Sequence, residues 1–175
     1  MAEQHKIDIA YMTCAFAMSK LSYARRKKVG AIIVSPEGGI IAEGVNGMPS
    51  GFSNKCETPL HKTKEEVLHA ESNAITKLAR STNSSVGATL YCTLSPCLEC
   101  AKLIIQTGIT RVVYAERYPY AGHTGEVRAM GLDLLEEAKV QVDNLVLHYN
   151  SDEDLEPQDE GRPCGHVEDW EGFRP

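Results

Sequence analysis

No apolar run in the sequence approaches the roughly 20 residues that a membrane-crossing helix needs. The start, MAEQHKIDIA, is charged and lacks the apolar stretch of a signal peptide. There is no long basic run, no internal repeat and no linker between two domains. The first two absences leave no membrane partner and make a cytoplasmic setting the expectation. The missing basic run argues against a surface built to hold long nucleic acid. In a reducing compartment, disulfides are also not expected. The six cysteines (14, 56, 92, 97, 100 and 164) therefore read as ligands and buried thiols.

What remains is ordinary in amount and uneven in placement. The 175 residues are 42% hydrophobic and 24% charged, which suits one domain with a real core. The net charge is −6, but residues 151–175 hold nine acids and two arginines and account for −7. Residues 1–150 are thus near neutral and read as the folded domain. Residues 151–175 read as an acidic C-terminal tail, too polar to pack a core of its own. A near-neutral domain still accommodates a small anion, because one or two placed arginines suffice for a phosphate.

Periodicity predicts the element order αββαβαβαβ, a mixed five-stranded sheet flanked by helices. Ile7, Tyr11, Cys14, Met18 and Leu21 recur at helical spacing and predict an amphipathic helix over 5–21. VGAIIV (29–34) and IIAEGVN (40–46) read as a hairpin around the turn PEGG. Residues 47–66 form a long Gly/Pro/Ser/Lys-rich loop, a length often tied to function. A helix is expected over 67–80 and a buried strand over 88–94. Ser95 as N-cap and Pro96 as first helical residue then open a helix to about 107. RVVYA (111–115), a helix over 124–138 with Val127, Met130, Leu134 and Leu135 inward, and a strand over 140–148 complete the order. Cys14 and Cys92 read as core thiols.

The chemistry concentrates in two short stretches. TLSPCLEC (93–100) places Cys97 and Cys100 three apart at a helix start, and HAE (69–71) stands at the start of the preceding helix. Alone, the cysteine pair could be a disulfide, a redox couple or half a metal site. His, Cys and Cys together make a tetrahedral zinc set with one position open for water, the arrangement of a catalytic centre. Glu71, two residues past His69, is placed to move protons beside that water. The combined pattern H-x-E … P-C-x-x-C is the signature of zinc deaminases.

Four stretches extend the resemblance along most of the chain: KVGAIIV (28–34), EGVNGMPSGFSN (43–54), LHAESNAI (68–75) and RVVYAERY (111–118). They resemble the cytidine deaminase superfamily, and within it the deoxycytidylate (dCMP) deaminases of phage and bacterial type. That resemblance implies a three-layer α/β cytidine deaminase-like fold. It also implies hydrolytic deamination of dCMP to dUMP by a zinc-activated water, supplying thymidylate synthesis. Residues 1–150 would be the zinc-dependent deaminase domain. His69, Cys97 and Cys100 would hold one Zn²⁺, with Glu71 as the catalytic acid and base. Ala70, Ser95 and Pro96 would border the pyrimidine, Asn46 would meet the sugar, Arg26 the phosphate, and Tyr118 would wall the pocket.

Asn46-Gly47 is equally a turn dipeptide, with Gly47 chosen for backbone conformation. Arg25 to Lys28 could be no more than a solvated basic turn. The resemblance further implies a homohexamer activated by dCTP and inhibited by dTTP, with Gly44, Asn46, Gly47 and Arg80 as the regulatory residues. The family often has an aromatic residue in the HAE helix where this chain has Lys77. Its paired cysteines after the loop appear here as Lys55-Cys56, so a second, structural zinc (from Cys14, Cys56, His61, Cys164 or His166) is not expected. Two rivals stand beside this reading: a zinc deaminase of another cytosine nucleoside, nucleotide or base, and a zinc-binding module without catalysis.

Overall fold

The computed structural model describes residues 2–117 and 130–145. The elements follow the predicted order: α1 (Ala2–Ser19), β1 (Gly30–Val34), β2 (Ile40–Val45), α2 (Ala70–Leu78), β3 (Thr89–Leu94), α3 (Leu98–Gln106), β4 (Arg111–Glu116), α4 (Met130–Glu137) and β5 (Gln141–Asn144). The sheet runs β2-β1-β3-β4-β5. β1 is antiparallel to both neighbours, whereas β3, β4 and β5 are parallel.

Alternation along each strand sorts side chains into two cores. Ala31, Ile33, Leu90, Cys92, Val112 and Tyr114 face α2, α3 and α4, whose Ala74, Ile104 and Leu135 are buried among them. Ile32, Val34, Tyr91 and Val113 face α1 through Met12 and Ala15. Helix, sheet and helices form the three layers expected of the fold. Cys92 is a core thiol, as its strand position predicts.

α1 buries only part of the face its spacing suggests: Tyr11 and Met18 pack against the core. Ile7 is 40% exposed, Leu21 61% exposed, and Cys14 lies at the surface, so it is no core thiol. Asp8, Met12, Ala15 and Ser19 point inward instead. Apolar residues occur around most of this helix, so periodicity alone cannot select a side. Asp8 decides it. Arg111 Nη1 and Nη2 each donate to the Asp8 carboxylate at 2.8 Å, and Tyr91 Oη donates to Oδ1 at 2.7 Å. Arg111 Nε also meets Asp143 at 2.7 Å.

Three other boundaries depart from expectation. Val67–His69 is extended rather than helical, because Leu68 exchanges two backbone bonds with Gly47, at 2.9 and 3.1 Å. Ser95 is not an N-cap and Pro96 is not helical: Ser95 N–H donates to the Glu116 carbonyl at 2.7 Å and prolongs the β3–β4 ladder, so α3 starts two residues later, after Cys97. Met130 is 42% exposed rather than inward, since Gly131, Leu132 and Leu135 take the buried side of α4. Val127 lies outside the described residues.

Burial alone would raise the Asp8 carboxyl; hydrogen bonds from Arg111, Tyr91 and Gln4 outweigh it and hold it below the ordinary carboxylate range. A depressed pKa means stabilisation that is full above the unfolded value and is lost as pH falls through the folded one. Asp8→Asn should cost about 3 kcal/mol at pH 7, because the Arg111 charge stays buried with a weakened partner. Urea unfolding should show that gap close as pH drops below about 4. A constant gap across that range would refute the linkage.

Candidate active site

α3 begins just after the carboxyl end of the central strand β3, and α2 begins beside the carboxyl end of the edge strand β2. His69 is the N-cap of α2 and Cys97 the N-cap of α3; both backbones are extended, and neither side chain makes a capping hydrogen bond. Cys100 follows within the first turn of α3, on the same face as Cys97. Close approaches fix both starts. A Cβ on Gly44 of β2 would lie 2.1 Å from the Ala70 carbonyl, so glycine lets α2 settle against the strand. A Cβ on Gly131 of α4 would lie 2.2 Å from the Pro96 carbonyl, so α4 supports the turn that carries Cys97. Asn73 Nδ2 ties α2 to the Val45 carbonyl at 2.9 Å.

The three predicted ligands meet. His69 Nδ1 lies 3.3 Å from Cys97 Sγ and 3.5 Å from Cys100 Sγ, and all three donor atoms fall within 4.8 Å of one another. Tetrahedral zinc, with Zn–S about 2.3 Å and Zn–N about 2.0 Å, separates nitrogen and sulfur donors by about 3.5 Å. The donor set and its spacing therefore fit zinc. Among the described residues no other His, Cys, Asp and Glu group gathers in this way. Cys56 is 1% exposed in a small core with Ala24 and Val67. Cys164 and His166 lie outside the described residues.

The electrostatics favour one thiolate at this point, on Cys97. The Cys100 thiol's hydrogen bond lowers Cys97 far below the ordinary thiol range against the pull of burial, and Cys97 in turn raises Cys100. The hydrogen bond to Cys97 raises His69. Glu71 is 3% exposed. Burial pushes its carboxyl up to about 7, before any contribution from a bound cation, although its own backbone N–H and the His69 charge pull the other way.

A cavity of about 180 Å³ opens onto this cluster. His69, Ala70, Glu71, Ser95 and Cys97 form one side of its lining, and Asn46 and Arg26 also contribute. Cys100 lies beneath at 2% exposure. Of the other predicted residues, Pro96, Gly44 and Gly47 do not line it. Arg80 follows the far end of α2 and is exposed. Tyr118 lies outside the described residues. Gly47 has no left-handed φ, and nothing lies within 4 Å of where its Cβ would point, so the backbone does not demand glycine there.

Asn46 is more occupied than a free sugar contact would be. Its Oδ1 accepts from Val29 N–H at 2.8 Å and sits 2.7 Å from the Ser22 hydroxyl; its Nδ2 donates to the Lys27 carbonyl at 2.9 Å. Among the described residues its Nδ2 makes that one bond, which leaves a second hydrogen for a ligand. Sequence reasoning missed Val29, Val67 and Leu94, the apolar lining, and Thr63, whose Oγ1 accepts from Arg26 Nη1 at 3.1 Å. The long loop was the available signal for Thr63. No spacing pattern pointed to the individual residue.

Comparison with known proteins agrees with this geometry. Residues 5–116 match the family model described as the cytidine and deoxycytidylate deaminase zinc-binding region. The human deoxycytidylate deaminase is 39% identical over 112 residues, covering 59% of this chain and 61% of its own length. The enzyme of enterobacteria phage T4 is 32% identical over 174 aligned residues, covering 75% of this chain and 90% of its own. The crystal structure of dCMP deaminase from cyanophage S-TIM5, in complex with dCMP and dUMP, superposes with a TM-score of 0.73 at 42% identity, over 79% of this chain and 96% of that one. The chain thus spans about three fifths of the human relative and nearly all of the phage ones.

Cys97→Ala should leave the sheet intact and weaken zinc about 100-fold or more, since losing a ligand exceeds the loss of a supporting partner. Metal analysis after dialysis against a weak chelator measures this. Wild-type zinc content in the variant would remove Cys97 from the ligand set.

Proposed function

Because the chain belongs to the family of cytidine and deoxycytidylate deaminases, we propose that it hydrolyses dCMP to dUMP at the His69, Cys97 and Cys100 cluster, with one zinc per chain. The observation that carries this reading is that one cavity is lined by two of the metal ligands, a buried carboxyl and a cation. Zinc held there supplies Lewis acidity and a water acidic enough to ionise near neutral pH.

The chain's own residues do the rest. A buried carboxyl that desolvation holds above the ordinary carboxylate range suits one group to act first as base and then as acid. Glu71 accepts the proton of the hydrolytic water and delivers it to ring N3 as the water oxygen bonds to C4. It then takes the proton of the new C4 hydroxyl and passes it to the amino group, which leaves as ammonia when the C4–N bond breaks. Backbone groups at Ala70 and Ser95, with Pro96 beside them, border the pyrimidine edge. Val29, Val67 and Leu94 give the ring an apolar, water-poor wall. The spare Asn46 hydrogen meets the sugar, and Arg26 meets the phosphate. The resemblance assigns Tyr118 to the pocket wall.

The same proposal includes a cytoplasmic enzyme assembled as a homohexamer, activated by dCTP and inhibited by dTTP. Exposed apolar residues on α1 (Ile7 and Ile9) support self-association. The resemblance at Gly44, Asn46, Gly47 and Arg80 supports the effector response. Gly44 also has the packing duty against α2 described above, so substitutions there disturb fold and regulation together.

Glu71→Gln should keep zinc and fold while kcat falls about 10³-fold, the range of a lost general acid and base. Turnover near wild type in a zinc-loaded variant would refute the shuttle. A panel of dCMP, CMP and deoxycytidine, followed by loss of cytosine absorbance, should show dCMP preferred over deoxycytidine by about tenfold or more in kcat/KM, the worth of one charge-assisted contact. Preference for the unphosphorylated nucleoside would favour a nucleoside deaminase instead.

A further inference from the structure

The long loop after β2 contains a small hairpin. Glu57 and Thr63 form an antiparallel bridge, Thr58 N–H donates to the Lys62 carbonyl at 2.8 Å, and Lys64 N–H donates to the Cys56 carbonyl at 3.0 Å. His61, at φ 58°, stands in the turn between the arms. Cys56 anchors the hairpin in a small core with Ala24 and Val67, against which Met48 packs. Ala24 immediately precedes Arg25 and Arg26, so hairpin and basic turn share one anchor.

Residues directly opposite in an antiparallel bridge point to the same side. Here both grip the basic turn. Glu57 Oε1 accepts the backbone N–H of Arg25 at 2.8 Å and of Arg26 at 3.2 Å, while Thr63 Oγ1 accepts from the Arg26 guanidinium at 3.1 Å. The division matters for charge. Glu57 meets the backbone of Arg26 and not its guanidinium. Lys27 pairs with Glu116, Lys77 with Glu43 and Lys102 with Glu99, but among the described residues no carboxylate pairs with the Arg26 guanidinium. A neutral hydroxyl holds that cation beside the cavity, and Glu57 attracts its charge without an ion pair to it. Arg26 and Thr63 both line the cavity.

We propose that Thr63 is a positioning residue for substrate selectivity, holding the Arg26 guanidinium at the cavity so that a nucleoside monophosphate is taken over its nucleoside. The Thr63 hydroxyl hydrogen, not needed for that bond, is available to a phosphate oxygen. The proposal rests on the monophosphate reading given above. It also assigns the loop a task other than metal binding, through the arm opposite Glu57.

The test is the ratio of kcat/KM for dCMP to that for deoxycytidine, measured in zinc-loaded wild type, Thr63→Val and Thr63→Ser. Valine keeps the shape and removes the acceptor. The ratio should fall about tenfold in Thr63→Val, carried by KM for dCMP rather than by kcat, and return toward wild type in Thr63→Ser. Inorganic phosphate should also compete less well against dCMP in the valine variant. If that variant does not yield folded protein, Glu57→Ala loosens the same grip from the opposite arm and is read by the same ratio. A wild type selective for dCMP whose Thr63→Val variant keeps the full ratio overturns the Thr63 assignment alone. A wild type without preference for dCMP overturns both the assignment and the monophosphate reading beneath it.

Discussion

Two helices start at one point, and each starts on a candidate metal ligand where a capping side chain would ordinarily stand. A Ser, Thr, Asp or Asn at an N-cap contributes about 1 kcal/mol. His69 and Cys97 forgo that stabilisation. In exchange, the positive ends of both helix dipoles meet at the His69, Cys97 and Cys100 cluster, where they favour thiolate over thiol. Much of the surrounding packing serves that convergence. Gly44 lets α2 reach β2, Gly131 lets α4 support Pro96, and the Ser95–Glu116 bond delays α3 until Cys97. The site lies at the carboxyl ends of parallel strands, where open α/β sheets commonly bind ligands.

Charge is used differently at the two ends of the sheet. At the start of β4, Arg111 is saturated by Asp8 and Asp143, with Asp8 buried and accepting from Tyr91 as well. Such a cluster orients α1 and offers nothing to a ligand. At the opposite end Arg26 is held by a hydroxyl and faces the cavity. The same residue type is thus structural in one place and left available in the other. Its partners make the difference.

The chemistry of the site was legible because metal ligation needs particular residue types at short spacings. His69, Glu71, Cys97 and Cys100 declare themselves in two stretches, and the structure brings them together. The element order was equally legible, since periods of 2 and 3.6 mark strands and helices. Less legible was anything set by partners remote in sequence. The inward face of α1 depends on Arg111, more than a hundred residues from Asp8. The start of α2 depends on Gly47 across the loop, and the grip on Arg26 on a hairpin more than thirty residues on.

The sequence by itself determined the fold class, the candidate metal-ligand set and the carboxyl beside it, because each rests on local pattern or on residue chemistry. Only the tertiary structure decided which face of α1 is buried, that both ligand helices begin on N-caps, that Asn46 is largely engaged by the backbone, and that Thr63 belongs to the pocket. Those outcomes depend on hydrogen bonds and close contacts between distant segments, and such contacts leave no periodic mark along the chain.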